Sequence, residues 1–184
     1  MPWNRFVIGY HGCDQSIIED ILLGRTDIKR SANDYDWLGN GVYFWEDSFK
    51  RAIQWARESK QIDQPAVIGA IIDLGHCLNL LDVGHLETVK LSFEALQCAS
   101  VRAGTPMPVN RGKKFKDRKL DCAVLETLHR LREDEKLEPY QTVRGFFVEG
   151  VPLYDHAGFR HQDHIQLCVR TSRSIVGYFL PRIT

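Results

Sequence analysis

Leu38-Gly39-Asn40-Gly41-Val42-Tyr43-Phe44-Trp45, read together with Tyr10-His11-Gly12-Cys13, sets the architecture expected of this chain. Each segment borders a strand-like run, Phe6 to Tyr10 in one case and Val42 to Trp45 in the other. Each also places a glycine where a flat ligand can approach the backbone closely. The first supplies a histidine and the second a tyrosine face. Side chains alternate along a strand, so Phe44 is expected in the core, with Tyr43 and Trp45 sharing the other face.

The flanking sequence extends the pattern. The first strand is expected to stop at His11-Gly12. Asp14 then caps a helix to about Leu23, with Ile17, Ile18, Ile21 and Leu22 at helical spacing and Gly24 closing it. Residues 31–41 are loop-like by composition. Asp47 or Ser48 caps a helix carrying Phe49, Ala52, Ile53, Trp55 and Ala56. Val67 to Leu74 is apolar on both faces and reads as a central strand, followed by a short one from Cys77 to Leu81. His85 to about Ala99 and Leu120 to about Arg132 read as amphipathic helices. Thr142 to Val148, Ile165 to Arg170 and Ser174 to Leu180 are strands. Strands at both ends, helices between and no internal repeat predict one α+β domain over residues 1–184.

The bulk composition excludes several classes. With 184 residues, 43% hydrophobic and 26% charged, the chain has the make-up of an ordinary globular domain. No stretch approaches the roughly 18 apolar residues of a membrane helix, and Met1-Pro2-Trp3-Asn4-Arg5 does not read as a secretory signal. The net charge is zero, which gives the whole molecule no general attraction to nucleic acid or anionic lipid. Cys13, Cys77, Cys98, Cys122 and Cys168 form no Cys-x-x-Cys pair; their pattern predicts a reducing, cytoplasmic setting and no cysteine zinc site. His161 and His164 have metal-like spacing with nothing to complete a ligand set, so no metal is expected. The cluster Arg111-Gly-Lys113-Lys114-Phe115-Lys116-Asp117-Arg118-Lys119 reads either as solvated loop or as a phosphate-contacting segment.

Tyr10-His11-Gly12, Gly39-Asn40-Gly41-Val42-Tyr43-Phe44 and the C-terminal segment beginning at Gln166 resemble, in order and spacing, the three motifs of the ADP-ribosyltransferases of the diphtheria-toxin and poly(ADP-ribose) polymerase class. The resemblance covers about residues 6–56 and 143–180. It departs from the family at Gln166, where the family usually carries glutamate. It implies two packed, mostly antiparallel sheets with an NAD cleft between them and flanking helices. It also implies that His11 bonds the adenosine ribose, that Gly12 holds the nicotinamide amide through its backbone, and that Tyr43 stacks on the ring. Cys13, Gly41, Arg51 and Trp55 fall in the same cofactor-binding set, with Phe49 as a further contact, and Gln166 falls at the reacting ribose. The segment 150–164 occupies the family's substrate-recognition turn, where Tyr154, Phe159 and Arg160 suit an acceptor with an aromatic face; Lys113 and Lys114 of the basic cluster are the candidates for phosphate contact.

Cleavage of a nicotinamide–ribose bond develops oxocarbenium character, which calls for rigid positioning and for negative charge near the ribose. Glutamine supplies no charge and cannot act as a general base. Glu149 is therefore the first candidate for a second carboxylate, with Asp163 and Glu46 behind it. The expected activity is NAD-dependent mono-ADP-ribosyl transfer to a macromolecule, nucleic acid favoured over protein, in a toxin-type protein with an antitoxin as possible partner. The rivals are an NAD glycohydrolase and a non-catalytic NAD- or ADP-ribose-binding module.

Overall fold

The computed structural model describes residues 5–112 and 117–182. Seven strands and four helices run in the order β1 Phe6–Asp14, α1 Ile18–Leu22, β2 Val42–Glu46, α2 Phe49–Gln54, β3 Pro65–Asp73, β4 Cys77–Asn79, α3 Val83–Ala103, α4 Lys119–Asp134, β5 Thr142–Phe147, β6 His164–Val169 and β7 Ile175–Phe179. A 3-10 turn, Gln15–Ile17, leads into α1, and a π-helical turn, Trp55–Ser59, prolongs α2. The class is α+β.

The strands form one sheet in the order β4-β5-β6-β2-β1-β3-β7. Among the described strands only β4 and β5 run parallel. This corrects the expectation of two separate sheets. The two halves are hydrogen-bonded to each other through β1 and β2, but only at Gly9–Glu46 and Tyr10–Trp45. By contrast β1 pairs with β3 along its whole length, from Phe6–Asp73 to Asp14–Pro65. Beyond Tyr10 and Trp45 the first two strands part company, and a gap opens in the sheet.

The first strand also outruns its expected end. It continues through His11, Gly12 and Cys13 because β3 goes on pairing with it opposite Ile68, Val67 and Ala66. Asp14 still acts as a cap, its carboxylate accepting from the Ser16 N–H, but the turn that it caps is 3-10.

Apolar layers cover both faces. Phe44, Ile68, Ile72 and Leu167 are fully buried together with Ile18, Ile21 and Ile28 on one side. Leu38, Leu78, Leu125, Leu128, Val143 and Cys168 pack where α4 crosses the β4–β5–β6 half. Each fully buried side chain of this size contributes about 1.5–3 kcal/mol. Tyr43 and Trp45 lie opposite Phe44, as alternation requires. Trp45 joins a third cluster with Ala52 and Val67, against which Tyr10, Phe49 and Trp55 pack.

Candidate functional site

The gap between β1 and β2 is kept open by a side chain. His11 Nδ1 lies 2.7 Å from the Tyr43 carbonyl oxygen, the group that would otherwise have been free to extend the ladder. A carbonyl only accepts, so Nδ1 carries the proton in this bond. Burial pushes the His11 pKa below its ordinary value, only partly offset by the bond to Tyr43, so the ring is neutral. Its Nε2 is then a lone-pair acceptor, suited to a hydroxyl donor.

Tyr43 presents its ring and not its hydroxyl. The hydroxyl donates to the Gly39 carbonyl (2.8 Å) and accepts from the Leu38 N–H (3.0 Å), and burial pushes its pKa well up. The turn that it braces is fixed from outside by two residues that the sequence did not single out. Glu126 of α4 accepts from the Asn40 N–H and from Arg170 Nη1, both at 2.7 Å, while the same Arg170 nitrogen donates to the Asn40 carbonyl at 3.1 Å. Hydrogen bonds to Arg170 and Asn40 hold the Glu126 carboxyl below its usual range against the cost of burial. Nothing local in the sequence marks Glu126, which lies 86 positions from Asn40.

The glycines have different reasons from those expected. Gly39 has φ +80°, a left-handed conformation that favours glycine. At Gly41 an added Cβ would come 2.6 Å from the Val169 carbonyl oxygen, and at Gly12 it would come 2.5 Å from that of Ala52. Gly12 thus seats α2 against β1, and Gly41 seats β2 against β6. Cys13 points into the core, where burial pushes its thiol pKa up to about 11. Phe49 packs edge-on against Tyr10 and stays out of the cleft. Neither Gly12 nor Cys13 contributes to the cleft wall.

His11, Tyr43 and Gln166, carried by β1, β2 and β6, line one cleft of about 720 Å³. That volume lies within the usual range for small-molecule sites. Trp37, Trp45 and Trp55 add aromatic wall, and Gly41, Asn33 and Asp36 also border it. Lys29, Arg30 and Lys60 bring positive charge to the same rim. Gln166 lies directly opposite Trp45 in the β2–β6 ladder, and its Oε1 accepts from Trp37 Nε1 at 2.5 Å.

A smaller recess of about 160 Å³ adjoins the cleft through Trp37, Trp45, Trp55 and Gln166, and it is completed by Arg51, Phe147, Glu149 and His164. Arg51 and Glu149 form an ion pair there, Nη2 to Oε2. Three buried polar atoms of its walls have no hydrogen-bond partner among the described residues: Trp45 Nε1, Arg51 Nε and His164 Nε2. His164 Nδ1 is engaged by the Gln162 carbonyl at 2.6 Å, and burial lowers the ring's pKa, so Nε2 is an acceptor. Two donors and one acceptor thus stand uncompensated around one small space, an arrangement that natural proteins seldom leave without a reason.

The candidate carboxylates are all engaged. Glu149 is clamped by Arg51, Glu46 takes two bonds of 2.7 Å from Arg144, and Asp163 accepts from the N–H groups of Glu149 and Arg160. Only Glu149 borders the recess. Of the residues expected to meet an acceptor, Tyr154, Phe159 and Arg160 border neither cavity. Tyr154 and Phe159 are exposed, whereas Arg160 is half-buried, its guanidinium reaching the Gly150 carbonyl. Lys113 and Lys114 lie outside the described residues, as does Lys116. Among the described residues no group of three His, Cys, Asp or Glu side chains is placed to hold a metal ion, and no helix is long and apolar enough to cross a membrane.

Over 172 residues the chain is 26% identical to an uncharacterized protein of Methanocaldococcus jannaschii, an alignment that takes in 71% of this chain and 79% of that one. No protein-family model matches the chain, and neither does a solved structure.

Proposed function

We propose that this protein is an NAD-consuming mono-ADP-ribosyltransferase with an ADP-ribosyltransferase-type cleft, acting on a macromolecular acceptor. The observation that carries the reading is the meeting of His11, Tyr43 and Gln166 in one cleft although they come from three separate strands. Those are the three residues that the motif resemblance assigns to NAD. The recess supports it independently. A primary carboxamide offers one oxygen and one NH2, which matches the unpartnered donors of Trp45 and Arg51 and the unpartnered Nε2 of His164.

On this reading the nicotinamide end enters between Tyr43, Trp45 and Trp55, with its amide toward Arg51 and His164. His11 Nε2 accepts from a hydroxyl of the adenosine ribose, and Lys29, Arg30 and Lys60 face the pyrophosphate. Glu149 supplies the negative charge that Gln166 lacks, held in place by Arg51. Nucleic acid remains the favoured acceptor because exposed Tyr154 and Phe159 offer stacking faces beside the cleft-bearing strands. A transferase of this kind would act as a toxin controlled by an antitoxin.

The test incubates the protein with labelled NAD and a cell lysate, then divides the product between nuclease and protease. Label lost to nuclease is the expected result, and label lost to protease moves the acceptor to protein. Nicotinamide release without macromolecular label replaces the transferase by a glycohydrolase. Binding without release leaves an NAD or ADP-ribose reader, the reading favoured by the absence of a carboxylate at residue 166. No binding at all overturns the proposal.

A further inference from the structure

We propose that Trp37 fixes the hydrogen-bonding polarity of Gln166, so that Gln166 meets an occupant of the cleft as a donor and selects for an oxygen lone pair, such as a ribose hydroxyl or ring oxygen. The choice of ribose rests on the NAD reading above; the polarity itself does not.

An indole N–H can only donate, so the amide atom that faces Trp37 Nε1 at 2.5 Å has to be the oxygen. The NH2 group is thereby turned the other way. It makes no hydrogen bond among the described residues, and Gln166 belongs to the walls of both cavities. Turning the amide over would set NH2 against N–H, two donors without an acceptor.

Packing on the indole opposes a swing that would relieve that clash. The Phe147 ring lies 5.0 Å from it, and the Arg118 guanidinium stands 5.1 Å from its centroid. Gly145, directly opposite Gln166 in the β5–β6 ladder, makes room for it: a Cβ there would come 2.6 Å from the indole Cη2. The indole is therefore seated as a fixed donor, and the amide has one orientation.

A carboxylate in this place would behave otherwise. One oxygen would accept a hydrogen bond from the indole N–H and the other would accept from the ribose. Gln166 reverses the second contact and turns the positive end of its dipole toward the ligand. Trp37 is a positioning residue, acting on the ligand through Gln166.

The lock is read directly from the Trp37 indole N–H signal of ¹⁵N-labelled protein, assigned by its loss in Trp37→Phe. Its hydrogen exchange is expected to be slow and to accelerate by about tenfold or more in Gln166→Leu, the loss of roughly one net hydrogen bond. Unchanged exchange in Gln166→Leu would overturn the proposal. Addition of ADP-ribose is expected to move the Gln166 amide protons along with the His11 ring signals. Movement of His11 alone overturns the donor role, and no movement of either overturns the NAD reading together with the choice of ribose. A kinetic cycle separates positioning from mere support. Trp37→Phe is expected to raise kcat for nicotinamide release in the wild type, by freeing the amide to turn its oxygen inward. In the Gln166→Glu background it is expected to leave kcat unchanged or lower it. Equal losses in both backgrounds would reduce Trp37 to a structural role.

Discussion

Replacing Glu149 by leucine strips the buried Arg51 guanidinium of its counter-charge. The two side chains are 8% and 15% exposed, so solvent screens neither of them well. Breaking a buried pair on one side costs about 3–5 kcal/mol, because the remaining charge has lost its compensation. For a domain of this length each kcal/mol lowers Tm by about 2–4 °C, so Glu149→Leu should lower it by roughly 6–20 °C. Arg51→Met should cost a similar amount by removing the guanidinium that compensates the buried carboxylate. The double variant removes both charges at nearly constant volume and should return to within about 1 kcal/mol of the wild type. The cycle then yields a coupling energy of about 5–10 kcal/mol, above the usual range for contacting residues because each single variant leaves a buried charge uncompensated. Urea unfolding monitored by tryptophan fluorescence measures all four proteins, with Trp37, Trp45 and Trp55 reporting from the recess itself. Raising the salt should leave the coupling nearly unchanged, since screening acts chiefly on exposed charges. A double variant as unstable as either single would refute the reasoning, since the charge imbalance could not then be the cause.

Gly12→Ala drives a Cβ to 2.5 Å from the Ala52 carbonyl, which as helix backbone has little room to give; the expected loss is about 1–3 kcal/mol. Gly158→Ala, with nothing within 4 Å, is the matched control, and equal urea midpoints for the two variants would show that α2 is not seated on Gly12. His11, His129 and His164 all have lowered pKa values, His129 about 4, with burial the largest cause in each. Depressed values mean that the unfolded chain takes up protons first, so stability is full above about pH 6.5 and falls as the pH drops toward 4, by at most about 1.4 kcal/mol per pH unit for each ring. Unfolding midpoints that stay flat between pH 7 and pH 5 would contradict this. Cys98 is exposed, whereas Cys13, Cys122 and Cys168 are buried with thiols pushed up to about 11, 11 and 12. A thiol reagent should therefore modify Cys98 first in the native protein and reach those three only on unfolding, as peptide mapping after a short exposure would reveal.

Local pattern carried much of the fold and less of the site. The strand at Val42 and the doubly apolar one at Val67 were legible because periodicity and β-branching are properties of neighbours. The end of β1 was not, since a His-Gly pair reads as a stop while the pairing that overrides it comes from residues 65–68. The single sheet likewise depends on two residue pairs, Gly9–Glu46 and Tyr10–Trp45, that leave no mark in either segment. In the site, His11, Tyr43 and Gln166 could be picked out by motif order. Their supports could not: Arg51 meets Glu149 across 98 positions and Glu126 meets Arg170 across 44. Trp37 offered a faint signal, a large aromatic among loop-forming residues. The glycines show a different limit, because sequence reveals that Cβ is missing without revealing which neighbour forbids it.

The strand order bears on the timing of synthesis. Gln166 meets Trp45 and Gly145 only when β6 slots between β2 and β5. The next strand, β7, then pairs with β3 at the far edge of the sheet, only five residues after β6 ends. Completion of the cleft wall at Gln166 thus waits for a segment made well after His11 and Tyr43. Pairing over such long stretches of chain is slow. A nascent chain still short of residue 164 carries two of the three strands that bear the site and lacks the wall that Gln166 supplies.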